Sequence, residues 1–245
     1  MGRPASDPSG STMRYILLIV LALAAAAPAG ADDTRPALAF PDRPGRQPLD
    51  TETWPWIAIG RVNREIGGHC TGTLVRPDTV LTASHCLRGP GGKLIQPTSV
   101  HFVAGWRRGG FVAHGRGHAF EQPESGALSD DWALIRLDTA LDVRPLRLLR
   151  TAPGIGTAIV RAGYGRDRPH LLTRDLDCRV RGEARGMLLH DCDSLPGDSG
   201  APLLVETDEG WVVGAIAIGI AGNDPVVGLA VSVAAAADTL VAEGL

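Results

Sequence analysis

The sequence predicts an all-β domain closed by a short C-terminal helix. Three observations carry this expectation: nine short apolar stretches rich in β-branched residues, the glycine, proline and aspartate that separate them, and one segment of helical composition, "AAAADTLVAEGL", at residues 234–245. With 245 residues, 44% hydrophobic and 21% charged, the chain is expected to fold as one globular unit or two small lobes rather than stay disordered.

In chain order the stretches are WIAIGRV (56–62), TGTLV (71–75), TVLTAS (79–84), SVHFVAG (99–105) and WALIRL (132–137). The second half continues with TAIVRAGYG (157–165), APLLVE (201–206), WVVGAIAIGI (211–220) and VVGLAVSV (226–233). Their lengths and even spacing suit strands, and many short strands with turn signals are built into sandwiches or barrels. No tandem repeat is visible.

Ahead of the first stretch lie two segments of other character. Residues 13–31, "MRYILLIVLALAAAAPAGA", place Arg14 before an apolar run from Tyr15 to Ala27 and end in Ala29-Gly30-Ala31, the small-x-small pattern of signal-peptidase sites. The run is shorter than the roughly 18 to 20 residues a membrane span needs, so 1–31 reads as a secretory signal with an upstream extension. Residues 32–50 are rich in proline and charge, which suits an extended leader or propeptide, with the folded part starting near Trp54. The expected destination is secreted or periplasmic, with no membrane association once the signal is removed. A net charge of -3 without any lysine and arginine block excludes nucleic acid as a partner.

Export also bears on Cys70, Cys86, Cys178 and Cys192, for which two disulfides are expected in an oxidising compartment. Three pairings are open. The local one, Cys70 with Cys86 and Cys178 with Cys192, closes two short loops in different halves of the chain. Zinc lacks support, because no Cys-x-x-Cys spacing is present, and no metal or organic cofactor is assigned.

The chemistry-bearing stretch is "CDSLPGDSGAPLL", residues 192–204. A serine hydroxyl is a weak nucleophile, so a serine catalyst needs a base, a group that orients the base, and donors for the oxyanion. Glycine leaves a backbone amide free to turn toward a substrate carbonyl, and the amides of Gly197 and Ser199 are candidates for that anion hole. In "LTASHC", His85 stands directly before a cysteine whose bridge would clamp it, which suits a general base. In "SDDWALIRL", Asp131 opens an apolar strand, where a carboxylate can lie half inside the core and hold the imidazole tautomer; Asp130 is its rival. His69, His101, His114, His118, His170 and His190 lack such surroundings and read as surface or structural residues.

Together these motifs resemble the secreted serine peptidases of the chymotrypsin and trypsin family. "LTASHC" is similar to that family's Thr-Ala-Ala-His-Cys, "DWALI" to its Asp-x-Ala-Leu box, and "GDSGAP" to Gly-Asp-Ser-Gly-Gly-Pro. "WPWIAIGRVN" (54–63) resembles the first strand of bacterial members. The resemblance implies two six-stranded antiparallel β-barrels, one over about 51–145 and one over about 146–235, with the active site in the cleft between them. It also implies a peptide or protein substrate and a triad of His85, Asp131 and Ser199. An α/β-hydrolase esterase is excluded, since Ala201 breaks Gly-x-Ser-x-Gly and the histidine comes first. A catalytically inactive binding module is the remaining alternative, although no triad residue is lost.

The resemblance further maps a primary pocket onto Asp193, Ser194, Ala217 and Gly219. Asp193 holds the position at which trypsin-like members receive arginine or lysine, so cleavage after basic residues is expected. Departures are plain: Leu195 replaces a cysteine, Ala217 replaces a serine that bonds the catalytic aspartate, and Val226 falls where a deep pocket would need glycine. In activated family members the aspartate before the serine pairs with a new N-terminal amine. Asp198 keeps that option, and cuts after Arg43 or Arg46 would place a terminus at a suitable distance.

Overall fold

The computed structural model describes residues 45–222 and 226–242. The expected signal segment lies outside these residues. Among the described residues no helix is long and apolar enough to cross a membrane.

The described chain opens with a two-residue strand, β1 (Gln47–Pro48), and then winds a first barrel. Its strands are β2 (Ile59–Arg64), β3 (His69–Arg76), β4 (Thr79–Thr82), β5 (Val100–Ala104), β6 (Ala113–Glu121) and β7 (Ala133–Leu137), closed in the order β2-β3-β4-β7-β6-β5. Phe102, Ile59, Leu74, Leu81, Leu134 and Ile135 fill it and are fully buried. Strand β8 (Arg147–Leu148) leads across to a second barrel and lies parallel to one of its strands.

That second barrel comprises β9 (Ala158–Gly163), β10 (Thr173–Ala184), β11 (Met187–His190), β12 (Pro202–Thr207), β13 (Gly210–Ala221) and β14 (Val227–Ser232). The ladder runs β9-β10-β11-β14-β13-β12 and closes through the pairing of β12 with β9. Closure leaves no edge in either barrel for another chain to extend. Ile159, Val180, Leu188, Leu203, Ala215 and Ala230 form its core, and helix α1 (Ala234–Ala242) ends the described chain. The expected fold class is thus realised, with the barrels closed rather than sandwiched.

Two long strands escaped the sequence reading for a shared reason. On β6 the inward positions are Gly115 and Gly117, and on β10 charged residues alternate with buried ones, so neither shows an apolar run. The expectation of an unpacked leader to about residue 50 is corrected at its end. Arg46 is buried, Gln47–Pro48 pair with Arg174 and Thr173 of β10, and the Leu49 amide donates to Leu172 O at 2.9 Å. Proline is tolerated there because β1 is an outer strand whose missing N–H breaks no inner ladder.

Candidate active site

Both barrels contribute to one site. After β4, a turn of 3-10 helix over Ser84–Leu87 carries His85, and its neighbour Cys86 is bridged to Cys70 on β3. The second bridge joins Cys178 on β10 to Cys192, so the local pairing is the one formed. A cluster of Cys70, His85 and Cys86 has metal-like spacing, but its thiols are consumed in the bridge and offer no thiolate.

A second 3-10 turn, Leu128–Asp130, ends at Asp131, two residues before β7 begins. Asp131 Oδ2 lies 2.6 Å from His85 Nδ1, and Oδ1 accepts the His85 backbone amide at 2.8 Å. One carboxylate thus grips both the ring and the main chain of the same histidine. The Asp131 side chain is 9% exposed while that of His85 is 43% exposed, so the acid is sheltered and the imidazole open to a substrate. Asp130 turns away and accepts a hydrogen bond from Ser125 Oγ at 2.6 Å, which separates it from its neighbour. A cleft of about 450 Å³ adjoins this pair, lined among others by Ser84, Arg88, Leu128 and Asp130.

The Gly-Asp-Ser-Gly turn comes from the second barrel and is fastened to the first by one threonine. Thr71 of β3 donates its amide to Ser199 O at 2.9 Å and its hydroxyl to Gly197 O at 2.9 Å, while the Tyr164 amide donates to Thr71 Oγ1 at 3.0 Å. Gly197 has φ +99, and a Cβ there would fall 2.5 Å from Tyr164 O. Gly200 has φ +79, and a Cβ there would fall 2.3 Å from Thr71 O and 2.9 Å from the Ala83 amide. The turn therefore presses against the residue just before the His85 helical turn, and only glycine combines that contact with that backbone. Gly200 N–H donates to Ala217 O at 2.7 Å and Ala217 N–H to Ala201 O at 2.8 Å, which sets β13 beside Ser199. The amides of Gly197 and Ser199 donate to no acceptor among the described residues.

His69 donates from Nε2 to Tyr164 O at 2.8 Å, next to Gly197, and burial keeps its ring below the ordinary histidine range. Asp193 is half-buried and its amide donates to Asp175 Oδ2 at 2.6 Å. Burial raises its carboxyl above the usual aspartate range, against the pull of Arg46 and Arg161. Ser194 is buried and Gly219 half-buried on β13, opposite Leu229. On β14, Gly228 pairs with Ile220, and the His190 ring lies on it, 2.1 Å from where a Cβ would be.

Asp198 is held on both carboxylate oxygens. Its Oδ1 accepts from Arg46 Nη2 at 2.9 Å and from Arg161 Nη1 at 2.8 Å, and its Oδ2 accepts the Leu195 amide at 2.9 Å. The Arg46 side chain is itself buried and bonded to that carboxylate. Sequence reasoning missed Thr71, Arg46 and Arg161. For Arg161 a signal existed, since a charge in the middle of the apolar stretch TAIVRAGYG must find a buried partner.

Paired closed barrels with a histidine and carboxylate on one and a Gly-Asp-Ser-Gly turn on the other define the class of double-barrel serine proteases. Residues 44–240 match the trypsin family, and the chain belongs to it. Trypsin epsilon of Drosophila erecta is 28% identical over 171 residues, 58% of this chain. The aligned part spans about 65% of that relative's length. A solved structure titled as Glu endopeptidase in complex with MPD superposes with a TM-score of 0.67 at 21% identity, covering 81% of this chain and 95% of that one, and bears on the fold alone.

Proposed function

We propose that the chain is an exported endopeptidase that hydrolyses peptide bonds through an acyl-enzyme on Ser199. The observation that carries this is the double hold of Asp131 on His85, at 2.6 Å to the ring and 2.8 Å to the amide. Asp131 fixes the tautomer with hydrogen on Nδ1, which leaves Nε2 as the base that takes the Ser199 proton. Ser199 Oγ attacks the scissile carbonyl, and the amides of Gly197 and Ser199, free of other acceptors among the described residues, hold the oxyanion. His85 then passes the proton to the leaving amine, and a water repeats the sequence to release the acid. Asp131 stabilises the imidazolium. Ala217 offers it no hydroxyl, and the bond from the His85 amide supplies an orienting contact instead.

Cleavage after arginine or lysine follows from Asp193 in the primary pocket, and a second carboxylate there would be repelled. Export is supported by two disulfides, which persist in oxidising compartments. The likeness to bacterial members is carried by residues 54–63 and belongs to the same proposal.

The test is the intact mass of the protein with and without a fluorophosphonate probe, with Ser199→Ala as control. One adduct on the parent and none on the variant is the expected result. A folded, correctly processed protein that takes no adduct would instead be a binding module.

A further inference from the structure

Asp198 is the residue directly before the proposed nucleophile, and its side chain is 1% exposed. A buried carboxylate needs a cation or several donors. Arg161 of β9, itself fully buried, is one cation; burial pulls its guanidinium below the ordinary arginine range and Asp198 pushes it back. The other comes from outside either barrel. Arg46 precedes β1, and its Nε and Nη2 also donate to Thr173 Oγ1 at 3.1 and 3.0 Å, while Asp167 lies 3.5 Å from Nη1. Its own carbonyl accepts from Arg168 Nη1 at 3.0 Å. The segment from Arg46 to Leu49 is thus a strap stitched along β10, with one side chain reaching down to the oxyanion turn.

We propose that Arg46 is a positioning residue for catalysis: its guanidinium, carried in the middle of the chain, holds Asp198 inward and so sets the Gly197–Ser199 turn without a free chain terminus. The geometry supports this in two ways. Asp198 Oδ1 is shared between two guanidiniums and Oδ2 is held by the Leu195 amide, so the carboxylate has no remaining cation to await. The Asp198 amide donates to Leu195 O at 2.9 Å and its carbonyl accepts the Ala201 amide at 2.8 Å, so fixing the side chain fixes the peptide units on both sides. A cut within the strap would free the cation, whereas a cut upstream of Arg46 would leave it in place. The inference builds on Ser199 as the nucleophile, but its structural half can be read independently of activity.

The experiment compares the full chain with Arg46→Met, Arg46→Lys and a strap control, Gln47→Ala. Three quantities are measured: the rate of fluorophosphonate acylation, hydrogen exchange of the peptide containing residues 193–200, and the thermal midpoint. Arg46→Met is expected to slow acylation about 10²-fold, the cost of misplacing a reacting group or losing an oxyanion donor. It should loosen exchange in 193–200 while the strands of both barrels stay protected. Arg46→Lys and added guanidinium ion should each restore part of the rate, and Gln47→Ala and acetylation of the N-terminal amine should change nothing. The proposal is overturned if Arg46→Met acylates and exchanges like the parent, if acetylation alone silences the parent, or if the lost rate merely tracks a fallen midpoint with both barrels deprotected. If the parent takes no adduct, the proposed nucleophile fails, while exchange in 193–200 still decides whether Arg46 holds the turn.

Discussion

Acid should destabilise this protein through His190. The ring is fully buried at the end of β11, Nδ1 accepts the Cys192 amide at 3.2 Å, and Gly228 packs flat against it. Burial is the main cause that pushes its pKa from 6.5 down to about 4, and the charge of Arg161 adds to it. The folded value lies below the unfolded one, so the unfolded chain takes up a proton first as pH falls. Stability is complete above about pH 6.5, declines by up to about 1.4 kcal/mol per unit, and the loss is full below about pH 4. The drop from 6.5 to about 4 corresponds to about 3 kcal/mol, a sizeable share of a domain's total of about 5–15 kcal/mol. Urea unfolding followed by tryptophan fluorescence measures it, in a Ser199→Ala background so that self-digestion does not intrude. His190→Gln should remove this part of the slope, whatever it does to the stability at neutral pH. If both proteins lose stability in parallel between about pH 6.5 and about pH 4, the buried neutral imidazole is not the cause.

Gly200→Ala puts a methyl group 2.3 Å from Thr71 O on a backbone with φ +79, so it should cost about 3 kcal/mol or more and lower the acylation rate; a variant with the parent's midpoint and rate would show that the turn can move aside. Because burial raises Asp193, the preference for arginine over an apolar residue at the cleavage site should grow with pH through an inflection above the ordinary aspartate value of about 3.9. A ratio of the two kcat/KM values that is flat with pH, or unchanged in Asp193→Asn, would remove Asp193 from specificity.

The parts of this molecule legible in the sequence were those whose chemistry is dense. Residues 131–137 announce both a strand and its leading carboxylate, because an acid ahead of an apolar run has few other uses. Strand β6 was silent, since its inward faces are glycines and periodicity needs side chains to be seen. Thr71 was silent too: a threonine in a strand is ordinary, and only the fold reveals that its amide and hydroxyl meet Ser199 and Gly197. Arg46 lies in a proline-rich stretch whose composition suits a loose leader, and composition says nothing of a single long side chain that finds an acid far along the chain.

The division of the candidate site between barrels has a consequence for how the protein is made. Synthesis delivers His85 and Asp131 first, with the bridge partners Cys70 and Cys86, and Ser199 only after most of the second barrel has left the ribosome. Under the proposed mechanism, an emerging chain would carry its proton acceptor before its nucleophile exists. In that mechanism the two halves of the site would meet only when the late turn docks onto Thr71, so the order of the residues along the chain would itself delay competence.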